Sequence, residues 1–315
     1  MDFSTLGIDH GTQAVRFCVL PEETYFEIPR EGPPESVISV IEEAVPLERL
    51  ELVGVTYAMG DGINRITDIR RVKNRGVLPG KAGEPVGTGT RVYDEIASSG
   101  LRAVVIPGLH RGIEALDPRF RALYSHCASA EKVSLCYDAY LTTGAQDLIV
   151  TDVSSNTVTI GIKGGRFLGA VDACLGAPGL VHGPLDLESL RMIEEGQTSA
   201  NMAFSRAGVA KIAGHRELDR LLNPRDERDR LAVESLVMGV SMEVYGFLSL
   251  LKPEVVAVSG WAGVSPAVYE GIRSSLEEVA QVVRLDGHAA ARGSAEIARD
   301  VLAGRRNFLG VEVDF

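Results

Sequence analysis

The sequence predicts an α/β protein made of two related domains, and three observations carry that reading. Short β-branched runs alternate with longer helical patterns, which is the signature of α/β architecture. A segment near the start recurs in the middle of the chain at an offset of 143 residues. The 315 residues, 45% hydrophobic and 24% charged, match globular usage and are enough for two cores, which excludes fibrous and disordered classes.

Strands are expected at Leu6–Ile8, Val15–Leu20, Leu52–Tyr57, Ala103–Pro107, Asp147–Asp152, Thr157–Ile162, Phe167–Asp172, Val255–Ser259 and Gln281–Leu285. Helices fill much of the remainder. Three helix starts carry capping chemistry: Asp186, opening a segment that stops at Gly196; Asn223-Pro224, before a long acidic-basic pattern; and Ser265-Pro266, after a glycine loop. The stretch Arg65–Gly89 gathers arginine, lysine and glycine in an otherwise acidic chain and reads as a long loop or hairpin. It is either a solvated connection or an anion-contacting loop.

The repeat superposes Leu6–Leu20 on Ile149–Lys163, so that Asp9 meets Asp152, Thr12 meets Ser155, Val15 meets Val158 and Phe17 meets Ile160. In each copy a buried strand ends in Asp, a short polar turn follows, and an apolar strand returns, which describes a β-hairpin with a polar tip. One domain is therefore expected over 1–142 and the second over 143–315, with packing of the final helix back across the hinge as the alternative for the last segment.

Charge and composition narrow the partners. Asp and Glu number 43 against 32 Lys and Arg, a net charge of −11, so nucleic acid and anionic membrane are not expected partners. The start MDFSTLGIDHGT lacks a signal-peptide pattern and no apolar run reaches the roughly 18 residues of a spanning helix, which predicts a cytoplasmic chain. Cys18, Cys127, Cys136 and Cys174 stand far apart and read as reduced and mostly buried. The six histidines are dispersed without metal-ligand spacing. His182 differs from the others because it lies in the glycine- and proline-rich loop Leu175–Asp186, where substrate contacts are often placed.

Three motifs could carry chemistry. Asp9-His10-Gly11-Thr12-Gln13 sets a carboxylate at a strand end before a turn whose N–H groups and hydroxyl can wrap a phosphate, with Gly11 allowing close approach. Asp152-Val153-Ser154-Ser155-Asn156 supplies a second carboxylate with two hydroxyls. Both tips also suit ordinary turns, but two carboxylates brought together call for a cation, and hard oxygen ligands suit Mg²⁺. The strand Val255–Ser259 runs into Gly260-Trp261-Ala262-Gly263 before a helix start, a way of holding a nucleotide against backbone. Trp261 either stacks on a base or caps the core.

Together these elements resemble the superfamily of acetate kinases, sugar kinases, actin and heat-shock chaperone ATPases. The likeness rests on the Asp-x-Gly-Thr hairpin with Arg16, the second Asp-led hairpin, the late Ser-Gly-x-x-Gly turn, and the ending His288–Gly304, similar to that superfamily's second connecting helix. Asn74–Thr90 and Gly165–Leu180 look like the acetate and butyrate kinase branch. The opening GIDHGTQAVRF, the segment GLHRGIEALDPRFRALYSHCASAEKVSLCYDAY and the GSAEIA ending resemble the archaeal methanogenesis marker 12 proteins, which have no assigned reaction.

The resemblance implies a two-domain actin-like ATPase (ribonuclease H-like) fold with a nucleotide cleft between the domains, binding Mg-ATP. By position, Asp9 would hold Mg²⁺ through water, with Gly11, Thr12 and Gln13 around the β- and γ-phosphates. Asp152 would share the metal and orient a water or accept a proton, with Ser154, Ser155 and Asn156 on the second phosphate side. Gly260, Trp261 and Gly263 would border adenosine, and Arg65, Arg75 and Arg91 are candidates for a cationic group at the transferred phosphoryl. Two departures stand out: serines replace the usual second-loop glycines, and Trp261 narrows the base pocket. The implied activity is Mg-dependent phosphoryl transfer to a small-molecule acceptor, or ATP hydrolysis, in methanogenic metabolism. The rivals are a nucleotide-gated assembly factor with a protein partner and a degenerate scaffold. Analogy with acetate kinases implies a homodimer.

Overall fold

The computed structural model describes residues 3–56, 61–78 and 87–315. In chain order its elements begin with β1 (Ser4–Asp9), β2 (Ala14–Leu20), β3 (Thr24–Pro29), α1 (Val37–Ala44), β4 (Leu50–Val55) and β5 (Ile66–Asp68). Then come α2 (Thr88–Ser98), β6 (Ala103–Val105), β7 (Leu109–His110), α3 (Pro118–Leu123), β8 (His126–Ala128) and α4 (Ala130–Thr143). The chain continues with β9 (Leu148–Val153), β10 (Thr157–Lys163), β11 (Arg166–Val171), α5 (Leu187–Glu194), α6 (Ala200–Phe204), α7 (Ala210–Ala213), α8 (Leu218–Leu222) and α9 (Glu227–Leu248). It closes with β12 (Val255–Ser259), α10 (Pro266–Leu276), β13 (Gln281–Arg284), α11 (Ala289–Leu302), β14 (Asn307–Phe308) and β15 (Val311–Asp314).

Every expected strand is present, with ends moved by a residue or two, and Tyr57 lies outside the described residues. The additional strands, β3 apart, have four residues or fewer, too short for an alternating pattern to register. Asp186 caps α5 by accepting the Ser189 N–H, and Ser265-Pro266 opens α10. The long helix α9 starts later than Asn223-Pro224: Asp226 is its cap, accepting the Asp229 N–H at 2.9 Å, because a carboxylate there satisfies an otherwise unpaired donor.

The chain divides into two compact units, 3–144 with 288–315 (among described residues) and 145–287. The first boundary falls within two residues of the expected one. The second domain does not run to Phe315 as expected, since the last segment packs with the first unit.

In the first unit the strand order is β14-β15-β5-β6-β4-β1-β2-β3. Strands β1, β4 and β6 are mutually parallel, so Asp9, Thr56 and Ile106 follow or end strands on one edge. That carboxyl edge is where α/β sheets receive ligands. Helix α11 lies on β1, β2, β4 and α4. Gly7 and Gly54 create its bed: a Cβ on Gly7 would sit 2.1 Å from Ala291 O, and one on Gly54 2.3 Å from Ser294 O. Gly293 meets α4 as closely, 2.0 Å from Ser134 O. The small residues of the C-terminal segment therefore serve backbone contact with the sheet and with α4. Arg292 on α11 donates to both oxygens of buried Asp138 on α4 at 2.7 and 3.1 Å, a buried pair whose loss on one side would leave an uncompensated charge.

In the second unit the order is β11-β10-β9-β12-β13, with β9, β12 and β13 parallel. The hairpin β9–β10 pairs Asp152 with Val158, whereas β1–β2 pairs Asp9 with Arg16. The second turn is one residue shorter, so the sequence superposition of Val15 on Val158 and Phe17 on Ile160 slips by one on the return strands.

Helix α9 packs on β9, β10, α7, α8 and α10. By length and composition an 18-residue stretch of it is apolar enough to cross a membrane, although Glu234 and Glu243 interrupt the run and a third of that stretch is buried inside the protein. Its buried side carries Ala232, Val233, Leu236, Val240, Val244 and Phe247.

Glu243 on α9 accepts the Ala177 N–H at 2.6 Å, and burial pushes its carboxyl up to about 7. A raised folded-state pKa means the native protein holds the proton that the unfolded chain releases near its ordinary value of 4.5. The associated stability is present below that value and is lost as pH rises towards 7. Glu243→Gln should therefore gain on the parent between pH 5 and pH 8 by on the order of 1–3 kcal/mol, read as a pH-dependent difference in Tm. A difference constant across that range would contradict the assignment.

Candidate functional site

The first tip is assembled at the end of β1. Asp9 is 5% exposed, and its Oδ2 accepts from Arg16 Nη1 at 3.5 Å, its partner across the hairpin. Gly11 fits because a Cβ would meet Ala14 O and Arg16 Nη1, each at 2.9 Å. Thr12 and Gln13 are exposed at the tip. Arg30 braces the turn from β3's end, donating from Nε to Gly11 O at 2.9 Å and from Nη2 to His10 O at 3.1 Å. The His10 N–H donates to Thr56 Oγ1 at 3.2 Å, and that hydroxyl donates to Ile8 O at 2.9 Å. Burial, and then the charge of Arg30, hold the His10 imidazole down to about 3, so it is neutral at physiological pH.

The second tip is assembled from β9, β10 and β12. Asp152 accepts from Ser154 Oγ at 2.8 Å, and the turn closes through Ser154 N–H to Asn156 O at 2.8 Å. Ser155 is 6% exposed, and its carbonyl accepts the N–H groups of Val181 and His182. Asn156 lies under Gly179, where a Cβ would be 2.3 Å from its Cα. The turn after β12 is seated on this tip. Gly260 has φ of +83°, and a Cβ there would be 2.2 Å from Asp152 Oδ1 and 2.5 Å from Ser154 Oγ. The N–H groups of Ala262 and Gly263 donate to Val153 O at 3.1 and 2.8 Å. Trp261 is half-buried, with an indole N–H that is buried and finds no acceptor among the described residues.

Within the second unit, then, Asp152, Ser154, Ser155, Asn156, Gly260, Trp261 and Gly263 are brought into one place. The glycines serve the close packing of this turn on the Asp152 tip, and the buried indole N–H of Trp261 leaves a donor that a ligand's polar group could satisfy. Among the described residues no group of three or more His, Cys, Asp or Glu is gathered as a metal cage.

Each of the three proposed cationic groups pairs with a carboxylate. Arg65 pairs with Glu312 at 2.9 Å, Arg75 holds both oxygens of Asp94 at 2.7 and 2.8 Å, and Arg91 pairs with Glu95 at 2.8 Å while also donating to Glu35 O. Part of the Arg65–Gly89 stretch, residues 79–86, lies outside the described residues. Arg30 and Thr56 escaped the sequence reading, since they shape the first tip through backbone bonds across the sheet. His182 packs against the Phe204 ring with centroids 5.1 Å apart, and burial, then Arg216, lower its pKa. No disulfide joins any of the four cysteines, of which Cys174 alone is exposed.

No family model matches the chain. Solved structures place its fold. A propionate kinase from Francisella tularensis subsp. tularensis SCHU S4 superposes with a TM-score of 0.64 over 95% of this chain and 99% of its own, at 13% identity. An acetate kinase from Entamoeba histolytica gives 0.63 over 94% and 100%, at 11% identity. A ROK family glucokinase from Streptomyces griseus, in complex with glucose and AMPPNP, gives 0.54 over 94% and 99%, at 18% identity. The fold is the two-domain actin-like ATPase fold of these kinases, an α/β architecture of the ribonuclease H-like type. Among curated proteins, a UPF0285 protein of Methanocaldococcus jannaschii is 48% identical over 99% of both chains. A UPF0285 protein of Methanothermobacter thermautotrophicus is 44% identical over 98% of both. The chain belongs to the UPF0285 family.

Proposed function

We propose that this protein binds Mg-ATP and transfers the γ-phosphoryl group to a small-molecule acceptor, or to water, in the metabolism of a methanogen. The observation that carries the reading is Gly260: its left-handed turn seats the late strand's loop directly on the Asp152 and Ser154 tip. The methanogenic setting is supported by the source of the relatives.

Asp9 and Asp152 are the proposed carboxylates for Mg²⁺, which when bound neutralises phosphate charge. Thr12, Gln13 and the Gly11 backbone hold phosphate oxygens, Ser154, Ser155 and Asn156 hold the second phosphate side, and Gly260, Trp261 and Gly263 border adenosine. Neutral His10 and Arg30 keep the first turn rigid, so the donors do not reorganise during reaction. Calorimetric titration of ATP, ADP and GTP with and without Mg²⁺ tests the reading. Saturable binding that needs magnesium is expected, and no binding at millimolar nucleotide would overturn it.

A homodimer is the further expectation, favoured by the exposed apolar side of α9, where Leu231, Met238, Met242 and Tyr245 are 51%, 60%, 66% and 46% exposed. Light scattering of the purified chain should give twice the monomer mass, falling to the monomer for Met238→Lys with Met242→Lys. A monomeric parent would refute it.

A further inference from the structure

The first unit holds a second concave site, away from both tips in sequence. Residues Gly62–Thr67 and Arg71–Leu78 form the two walls of a cavity of about 600 Å³. The walls are joined where the Gly62 N–H donates to Gly76 O at 3.0 Å, and the second wall turns through Asn74, Arg75 and Gly76, all with positive φ. Asn74 Nδ2 closes that turn by donating to Val77 O at 3.0 Å.

The charged residues lining the cavity are of one sign: Arg65, Arg71 and Lys73. In a chain of net charge −11 the general field repels anions, so three cations around one concavity form a local exception. Asn64, Asn74 and Thr67 add neutral hydrogen-bonding groups. No described residue pairs with Lys73.

Two of the cations have internal counter-ions on the C-terminal strand. β15 runs parallel to β5, with Val313 opposite Ile66 and Asp314 opposite Thr67. Arg65 reaches Glu312 at 2.9 Å and Arg71 reaches Asp314 at 2.9 Å, each partner more than half exposed. Exposed pairs of this kind contribute little, so a ligand presenting several oxygens to both guanidinium groups and the ammonium outcompetes them. Antiparallel pairing of β5 with β6, Thr67 opposite Val105, sets Asn64 and Arg65 at the carboxyl edge of the parallel strands.

We propose that this basic bowl is a binding site for a small polyanion, a molecule with two or more closely spaced negative charges of phosphate-ester or polycarboxylate type. Glu312 and Asp314 stand in for it in the free protein and leave when it binds. The site stands apart from the nucleotide reading and is tested without nucleotide.

The experiment titrates inorganic pyrophosphate and, separately, citrate into the full chain by calorimetry, magnesium-free and at constant ionic strength. Saturable one-to-one binding of at least one probe is expected, stronger pyrophosphate binding pointing to a phosphate ester and stronger citrate binding to a polycarboxylate. Arg71→Gln with Lys73→Gln should weaken it by about tenfold or more, and Glu312→Gln with Asp314→Asn should tighten it by about threefold, since competing exposed pairs are removed. Both variants alter exposed side chains, and an unchanged Tm verifies folding. Binding that is equal in parent and Arg71→Gln/Lys73→Gln, or no saturable heat with either probe up to about 10 mM, far weaker than a specific site gives, would overturn the proposal.

Discussion

Asp9→Asn should lower Mg-ATP affinity by about 10- to 100-fold, the equivalent of losing one charge-assisted interaction of roughly 1.5–3 kcal/mol. The side chain is nearly isosteric and Asp9 is 5% exposed on a strand held by full pairing with β2 and β4, so the fold should persist. What disappears is the charge. An amide cannot balance Arg16 at 3.5 Å, nor offer a hard anionic oxygen to Mg²⁺. Asp152→Asn should act in the same direction while keeping an oxygen to accept from Ser154 Oγ. The diagnostic is the magnesium requirement: titrations of each variant with and without Mg²⁺ should converge. Affinities within twofold of the parent in both variants would remove these carboxylates from the site.

Gly7→Val should be the most damaging change to stability, costing upwards of about 3 kcal/mol, beyond the usual range for overpacking. The reason is that the obstructing atoms are backbone: Ala291 O at 2.1 Å and Ala295 N at 2.2 Å from an added Cβ. No rotamer relieves that contact, so α11 would have to leave β1, breaking the Thr5 Oγ1 to Ala295 O bond of 3.0 Å and straining the Arg292–Asp138 pair. A Tm lowered by about 6–12 °C is expected for this size of change. Gly246→Ala is the control, since nothing lies within 4 Å of its added Cβ. It should be neutral or slightly stabilising, by up to about 1 kcal/mol. Equal Tm for the two variants would show that α11 is not seated as described.

How much of this was legible beforehand depended on the range of the interaction. The long strands announced themselves because a buried strand writes its own apolar run, as Leu148–Val153 and Val255–Ser259 do. The two acidic tips were legible for the same reason: Asp at a strand end followed by Gly, Ser and Thr is a local pattern. Short strands such as β5 and β15 were not, since three or four residues cannot display a period and exist only because a neighbour supplies the ladder. Nor was the cap of α9: the sequence pointed to Asn223-Pro224, whereas the cap is Asp226, whose carboxylate accepts the Asp229 N–H.

The sequence by itself determined the α/β class, the two acidic hairpins, the glycine turn after β12 and the resemblance to the actin-like ATPase fold, all of which rest on short contiguous motifs. Only the tertiary structure decided that all of the last 28 residues, beyond the final helix alone, join the first unit, that the second hairpin is one residue shorter, and that Arg65, Arg75 and Arg91 are held by carboxylates. It also decided that Arg30 and Thr56 shape the first turn and that Arg65, Arg71 and Lys73 surround one bowl. The physical reason is common to all of these. They are contacts between segments far apart in the chain, made by backbone groups and charged termini whose partners are chosen by sheet order and helix seating, and no local periodicity encodes that choice.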